Sequence, residues 1–261
     1  MAREWALITG ASEGLGSEFA DIAAAAGYGV ILAARRRDRL EALAAELAER
    51  HGAETAVIVI DLSDPEAPDA LWREATDGRH VAILVNNAGL GRHGRFDDGG
   101  WEQELQVVQV NVLALARLFK LAVASMKRAG GGRILNVSST AAFMPGPNMA
   151  VYHGSKAFVQ SLGEAVAHEL RGTGVTVTTF APGATATGFQ RVAAMQGARI
   201  TRAGMQDARK VAEAGWRAMM AGRRSAVPGL VNLAFSLGPR LLPRSWNAAV
   251  AEVALSKGRP R

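Results

Sequence analysis

The 261-residue chain contains no cysteine. Its fold therefore cannot rest on disulfides, and thiolate catalysis, cysteine-ligated zinc and iron–sulfur clusters are excluded. A cysteine-free chain fits a reducing cytoplasm, which is the expected location. Histidine is sparse as well. Five are scattered without ligand spacing, and neither an HExxH run nor a paired-carboxylate cluster occurs, so no metal site is expected. The N-terminal MAREWALITGAS lacks an apolar core long enough for a signal peptide. Long apolar runs are also missing. The most apolar late segment, Val227 to Leu242, is broken by Pro228, Gly229, Gly238 and Pro239. A spanning helix needs about 20 apolar residues, so none is expected. No internal repeat, low-complexity tract or linker interrupts the chain, and a single domain over 1–261 is expected.

What is present is an ordinary globular composition, 49% hydrophobic and 21% charged, with a formal net charge of +6. No long lysine/arginine run and no basic–aromatic interleaving accompanies that charge. An arginine-rich solvated surface is therefore preferred to a polyanion-binding face, and no nucleic-acid partner is expected. An anionic cofactor would still meet a favourable field.

Apolar runs alternate with helical patterns. Trp5–Thr9, Gly29–Ala34, Ala56–Ile60, Val81–Val85, Arg133–Val137 and Val175–Phe180 read as strands apolar on both faces. Phe19–Ala26, Asp38–Arg50 and Gln206–Ala221 read as helices. Alternation of this kind implies right-handed βαβ units: an α/β fold with a parallel sheet covered by helices on both faces. Residues 185–206 read as a lid of loop and short helical pieces, and about 230–257 as a helical tail of one or two amphipathic helices.

Thr9-Gly10-Ala11-Ser12-Glu13-Gly14-Leu15-Gly16 lies between the first strand and the first helix. Glycine lets the main chain approach a pyrophosphate, and a helix N-terminus presents free N–H groups to it. Further short motifs follow in order: Asp61-Leu62 after the third strand, Asn86-Asn87-Ala88-Gly89 after the fourth, Asn111 in VNV, Asn136-Val137-Ser138-Ser139 at the fifth strand's end, Tyr152-His153-Gly154-Ser155-Lys156, and Pro182-Gly183 after the sixth. YHGSK alone has the spacing of an ordinary surface pair on a helix. The ordered set, over roughly Glu4 to Thr187, resembles the short-chain dehydrogenase/reductase family, with its TGxxxGxG, NNAG and YxxxK elements.

The resemblance implies a doubly wound Rossmann sheet of about seven strands and a nicotinamide cofactor. Matched cofactor positions are Gly10, Ser12, Glu13, Gly14, Leu15, Gly16, Asp61 (against the adenine), Leu62, Asn87, Ala88, Gly89, Tyr152, Lys156, Pro182, Gly183, Thr185 and Thr187. Thr185 stands where many members carry Val or Ile. The second strand ends in Arg35-Arg36-Arg37 with no acid at its tip. An acid there favours NAD and an arginine accommodates the 2′-phosphate, so NADP(H) is preferred over NAD(H), with Arg35 as the phosphate reader and Arg36 beside it. Glu13 weighs slightly the other way, because many NADP-using relatives carry a basic residue there.

A tyrosine has a pKa near 10 and needs a cationic neighbour to transfer a proton near neutrality. Lys156, four residues after Tyr152 on one helical face, is expected to lower it. Ser139, selected over Ser138 by the family's thirteen-residue step to the tyrosine, is expected to stabilise the substrate oxygen. By resemblance, Asn111 holds the water of a proton relay. His153 turns about 100° away from Tyr152 on the helix and is read as structural. His93 reads as loop surface ahead of a place in the cleft. Asp97 and Asp98 read as a charged helix start.

The expected cleft wall includes Phe96, Phe143, Met144, Met149, Phe189, Met195 and Ile200, which suits an apolar substrate. Arg92, Arg191 and Arg199 remain unassigned. The expected activity is hydride transfer between NADP(H) and a carbonyl or secondary alcohol, by a homodimer or homotetramer. Two alternatives stand beside it. One is a nucleotide-binding regulator or scaffold without turnover; the other, lesser one places the C-terminal region on a membrane surface.

Overall fold

The structure is a computed structural model that describes residues 3–189, 193, 205–240 and 243–256. Among them, seven parallel strands form one sheet in the order β3-β2-β1-β4-β5-β6-β7. They are β1 (Glu4–Thr9), β2 (Gly29–Ala34), β3 (Thr55–Val59), β4 (His80–Asn86), β5 (Gly132–Val137), β6 (Val175–Phe180) and β7 (Ser225–Ala226). The first six match the apolar runs. The seventh is two residues long and has too little sequence to carry a pattern.

Strand alternation feeds two cores. Trp5, Leu7, Ile31, Leu84, Ile134 and Val177 point to one side, where α3 (Ala67–Thr76), α5 (Leu115–Arg128) and α6 (Ala150–Glu169) cover them. Ala6, Ile8, Val30, Leu32, Val85 and Leu135 point to the other, under α1 (Leu15–Ala25), α2 (Arg37–His51) and α7 (Ala208–Met220). The side chains of Leu7, Ile8, Ile31, Leu32 and Leu84 are fully buried. At about 25 cal/mol per Å² of apolar surface, this two-sided burial is the main force holding the sheet together. On the second side, Asp21 of α1 is buried and clamped by His51 at 2.7 Å, Arg50 at 2.8 Å and Arg209, which ties α1, α2 and α7 together.

α4 (Trp101–Val108) runs through a π-helical turn, Gln109–Ala114, into α5. By length and hydropathy this 28-residue rod, Trp101–Arg128, is apolar enough to cross a membrane, although none was expected. In this fold its residues Val110, Ala114, Leu118, Phe119 and Met126 are packed in the core under the sheet. The tail forms α8 (Leu230–Leu237) and α9 (Arg244–Leu255), split by Gly238, Pro239 and Pro243.

Strand order reverses between β1 and β4. Chains leave these two strands toward opposite sides, so a crevice opens at their carboxyl ends. Every element of the site described next starts at that edge.

Candidate active site

At the end of β1, Gly10 has φ +66° and Gly14 φ +63°, conformations that L side chains rarely adopt. A Cβ on Gly16 would overlap the Gly10 carbonyl oxygen, so only glycine lets α1 start this close to the strand. Among the described residues no side chain caps the α1 N-terminus at Gly14. Its first-turn N–H groups therefore face the crevice, an arrangement suited to a pyrophosphate. The turn is pinned across the switch point. Thr9 Oγ1 accepts from Asn87 N and Ala88 N, both at 3.0 Å, while Asn87 Nδ2 donates to the Thr9 and Gly10 carbonyls at 2.9 and 3.3 Å. Asn87 thus shapes the cradle with its amide nitrogen, and Thr9, not singled out in the sequence, is its counterpart.

At the outer end of the cleft the β2 arginines divide their work. Arg36 donates to Ser12 Oγ at 2.8 Å and pairs with Glu13 at 3.1 Å. Arg39 also pairs with Glu13, at 3.0 Å. Arg35 is largely exposed and lies 3.9 Å from Asp61, whose carboxylate accepts from Ser63 N and Oγ. Glu13 therefore balances Arg36 and Arg39, which leaves Arg35 the guanidinium with the loosest acidic partner of the three.

At the inner end, β5 delivers two serines with different surroundings. Ser138 is buried; its N–H donates to Phe180 O at 2.7 Å and its hydroxyl to Lys156 O at 3.1 Å, so it fastens strand to helix. Ser139 faces the cleft. Its Oγ accepts from Ala141 N at 3.2 Å and hydrogen-bonds the Tyr152 hydroxyl. The Lys156 Nζ donates to Val137 O at 2.8 Å and lies 5.9 Å from the centre of the Tyr152 ring. A Cβ on Gly89 would sit 3.5 Å from that Nζ and 3.4 Å from Asn111 Oδ1; glycine here keeps the space beside the ammonium open.

Burial dominates the electrostatics. It pushes the Tyr152 hydroxyl up to about 12, against a smaller opposing effect of the Ser139 hydrogen bond. It pushes the Lys156 ammonium down to about 8. Desolvation, and not the expected lowering by its lysine, sets the direction for the tyrosine in this chain. His153 is buried too, with Nδ1 2.9 Å from Met144 O and its pKa lowered by burial. It holds the loop after Ser139 and agrees with a structural role.

Asn111 is fully buried in the π-helical turn. Its Oδ1 accepts from Leu90 N at 2.8 Å; its Nδ2 donates to Leu90 O at 2.9 Å and to Ser155 Oγ at 3.0 Å. Ser155 in turn donates to Tyr152 O at 2.7 Å. The side chain is a splint between the β4 loop and the tyrosine helix, and a relay through this residue would have to use its main chain. Ser155 carries no sequence signal beyond its place inside YHGSK.

The far wall is the stretch after β6. Thr187 packs on Gly14, and a Cβ on Gly188 would meet the Glu13 carboxylate, so this stretch closes over the glycine turn. Thr185 is buried and donates to Gly183 O at 3.0 Å. Gly183 abuts Asn232 of α8, which donates to Gln206 Oε1 at 2.8 Å and to Pro228 O at 2.7 Å. Asn232 was missed; a lone amide in an otherwise apolar helix was the available signal.

One cleft of about 1020 Å³ joins these parts. Of the catalytic and cofactor positions expected from the sequence, all but Gly16 and Asn111 line it; those two act from behind the wall. Leu90, Met144, Met149, Phe189, Val231, Phe235, Val253 and Leu255 give it an apolar lining that runs out to its mouth. Phe96 does not contribute: it is 68% exposed in a short 3-10 turn. Phe143 is not in the lining either. Asp97 and Asp98 do not start the helix, which begins at Trp101; Asp97 is paired with Arg95. Arg92 is spent on Glu104 and Gln103, and His93 Nε2 lies 2.9 Å from Leu255 O, joining the β4 loop to the tail. Arg191, Met195, Arg199 and Ile200 lie outside the described residues. Among the described residues no group of three or more His, Asp or Glu could hold a metal ion.

The family model for short chain dehydrogenases matches residues 4–197. A 7beta-hydroxysteroid dehydrogenase of Collinsella aerofaciens is 35% identical over 184 residues, 70% of each chain. A very-long-chain 3-oxoacyl-CoA reductase of Pyrenophora tritici-repentis is 35% identical over 178 residues, 66% of this chain and 52% of that protein; the match spans about half the length of that relative. Among solved structures, a short-chain dehydrogenase from Sphingobium yanoikuyae in complex with NADPH has a TM-score of 0.83 at 29% identity, over 88% of this chain and 90% of that one. A 7beta-hydroxysteroid dehydrogenase structure reaches 0.86 at 28% identity over 95% and 96%.

Proposed function

This chain belongs to the short-chain dehydrogenase/reductase family, and from that premise we propose that it is an NADP(H)-preferring carbonyl reductase or alcohol dehydrogenase acting on an apolar small molecule. One observation carries the reading: Ser139, Tyr152 and Lys156 meet on one wall of a cleft whose other end is formed by Ser12, Arg35 and Arg36. The glycine turn, the uncapped α1 N-terminus and the side-chain-free Gly89 fit a dinucleotide between those ends. The absence of an acid at the tip of β2 supports NADP over NAD. When bound, the reduced nicotinamide supplies the hydride.

The protein's own groups handle the proton and the oxygen. Ser139 Oγ accepts from Ala141 N and hydrogen-bonds the Tyr152 hydroxyl; with a carbonyl bound between the two residues, its hydrogen turns to the carbonyl oxygen and stabilises developing alkoxide charge. Tyr152, kept protonated by burial, gives its proton to that oxygen. Lys156, held at one corner by Val137 O, stabilises the tyrosinate left behind while it carries its ammonium. Asn111 positions the tyrosine helix through Ser155. The apolar lining supports a bulky apolar substrate, in keeping with the steroid dehydrogenase among its relatives.

A homodimer or homotetramer is part of this reading. Trp101, Leu105 and Leu113, spaced four and then eight residues apart, are exposed along the α4–α5 rod, and Phe158 is exposed on the adjoining α6. The regulator alternative is disfavoured by the assembled Ser139, Tyr152 and Lys156.

Single-turnover mixing with NADPH and NADH, against a panel of bulky ketones followed at the nicotinamide absorbance, tests the reading. Tyr152→Phe should bind NADPH normally and lose turnover by about 10²–10⁴-fold. Near-normal turnover of that variant would overturn the mechanism.

A further inference from the structure

The helix α8, LVNLAFSL, is inverted. A surface helix normally turns its apolar stripe inward and its polar residues to water. Here the polar residues face in: Ser236 is buried, and Asn232 is bonded to Gln206 and Pro228. The apolar ones face out: Leu230 is 85% exposed, Val231 69%, and Leu233, Phe235 and Leu237 are each more than two-fifths exposed. The helix carries no charge. Trp246 and Val253 of α9 are exposed as well, at 63% and 55%. Two of the α8 side chains, Val231 and Phe235, also line the cleft, so the apolar surface is the outer continuation of the cleft's mouth. The tail lies beyond residue 197, where the family match ends.

We propose that α8 and α9 seat the protein on the surface of a bilayer containing anionic lipid, with the mouth of the cleft facing the lipid. Charge supports this occupant. From Gly238 to the C-terminus the chain carries Arg240, Arg244, Lys257, Arg259 and Arg261 against Glu252 alone, and the whole chain is at +6. An uncharged apolar helix next to a basic stretch is the pattern that holds a protein in the headgroup region. A second copy of the chain fits less well: a rigid partner on Val231 and Phe235 would close the mouth, whereas fluid lipid covers these side chains and still admits an apolar molecule.

The test is co-sedimentation of the full chain with vesicles, which measures no turnover and is thus independent of the catalytic reading. Vesicles of phosphatidylcholine with about 30% phosphatidylglycerol should bind at least about tenfold more protein than phosphatidylcholine alone. The double variant Leu230→Glu/Leu237→Glu alters exposed side chains outside the cleft lining and should weaken binding by about tenfold or more while leaving NADPH affinity unchanged. Lys127→Gln/Arg128→Gln makes the same net charge change on α5 and should bind vesicles within about twofold of the parent. Absence of binding to either vesicle overturns the proposal, as does an equal loss in the α5 variant. Dissociation of an oligomer by the α8 substitutions, without vesicle binding by the parent, would assign the face to a second copy instead.

Discussion

Replacing Lys156 by Met isolates what burying its ammonium costs the fold. The side chain is 5% exposed and donates a hydrogen bond to Val137 O at 2.8 Å. Burial brings its pKa from an ordinary 10.5 down to about 8. Between those values the unfolded chain holds a proton that the folded chain has released. Stability therefore rises with pH through that window, and the contribution is lost as pH falls through about 8. One pKa unit corresponds to about 1.4 kcal/mol, so from about pH 7 to about pH 10 the parent should gain about 2–3 kcal/mol relative to Lys156→Met. Tyr152 acts in the opposite direction and later. With its pKa pushed up to about 12, the folded chain keeps the phenolic proton longer than the unfolded chain, and this stabilisation is lost only as pH climbs toward about 12. Urea unfolding of both proteins, followed by tryptophan fluorescence at several pH values across that range, reads the difference directly; the other lysines cancel in the subtraction. A flat difference would mean that the ammonium is not desolvated, and a falling one would reverse the sign of the reasoning.

Arg35→Ala should weaken NADPH by about tenfold or more and NADH little, because a guanidinium–phosphate pair is lost only with the former; equal losses in titrations of the two would remove Arg35 as phosphate reader. Gly16→Ala places a Cβ on the Gly10 carbonyl and near Asn87 Nδ2, and should cost about 1–3 kcal/mol in thermal unfolding along with cofactor affinity; unchanged stability would mean that the turn relaxes freely. Asn111→Ala strands the Leu90 amide and carbonyl in a buried turn and should cost about 2–4 kcal/mol, with kcat falling more than NADPH affinity; loss of NADPH affinity alone would argue against its positioning of the tyrosine helix.

Much of this protein is legible in one dimension. Six strands announced themselves because a strand covered on both faces must be largely apolar or β-branched along its length, as at Gly29–Ala34 (GVILAA) and Val175–Phe180 (VTVTTF). The glycine turn was visible because backbone conformations such as that of Gly10, and the tight approach at Gly16, restrict residue type locally. The four-residue step from Tyr152 to Lys156 survives folding because a helix is periodic. What the sequence left undecided are choices among partners far apart in the chain. Only the packed structure shows that Ser139 turns to Tyr152 while Ser138 turns to the Lys156 carbonyl, that Glu13 balances Arg36 and Arg39 rather than Arg35, and that Asn111 spends its amide on Leu90 and Ser155. The two-residue β7 exists only because β6 offers an edge to it. Depth of burial, too, is a property of the whole molecule. No motif could show that desolvation would push Tyr152 up instead of letting Lys156 draw it down, or that LVNLAFSL would turn its apolar side chains outward, because both follow from what lies around a side chain and not from what lies next to it in the chain.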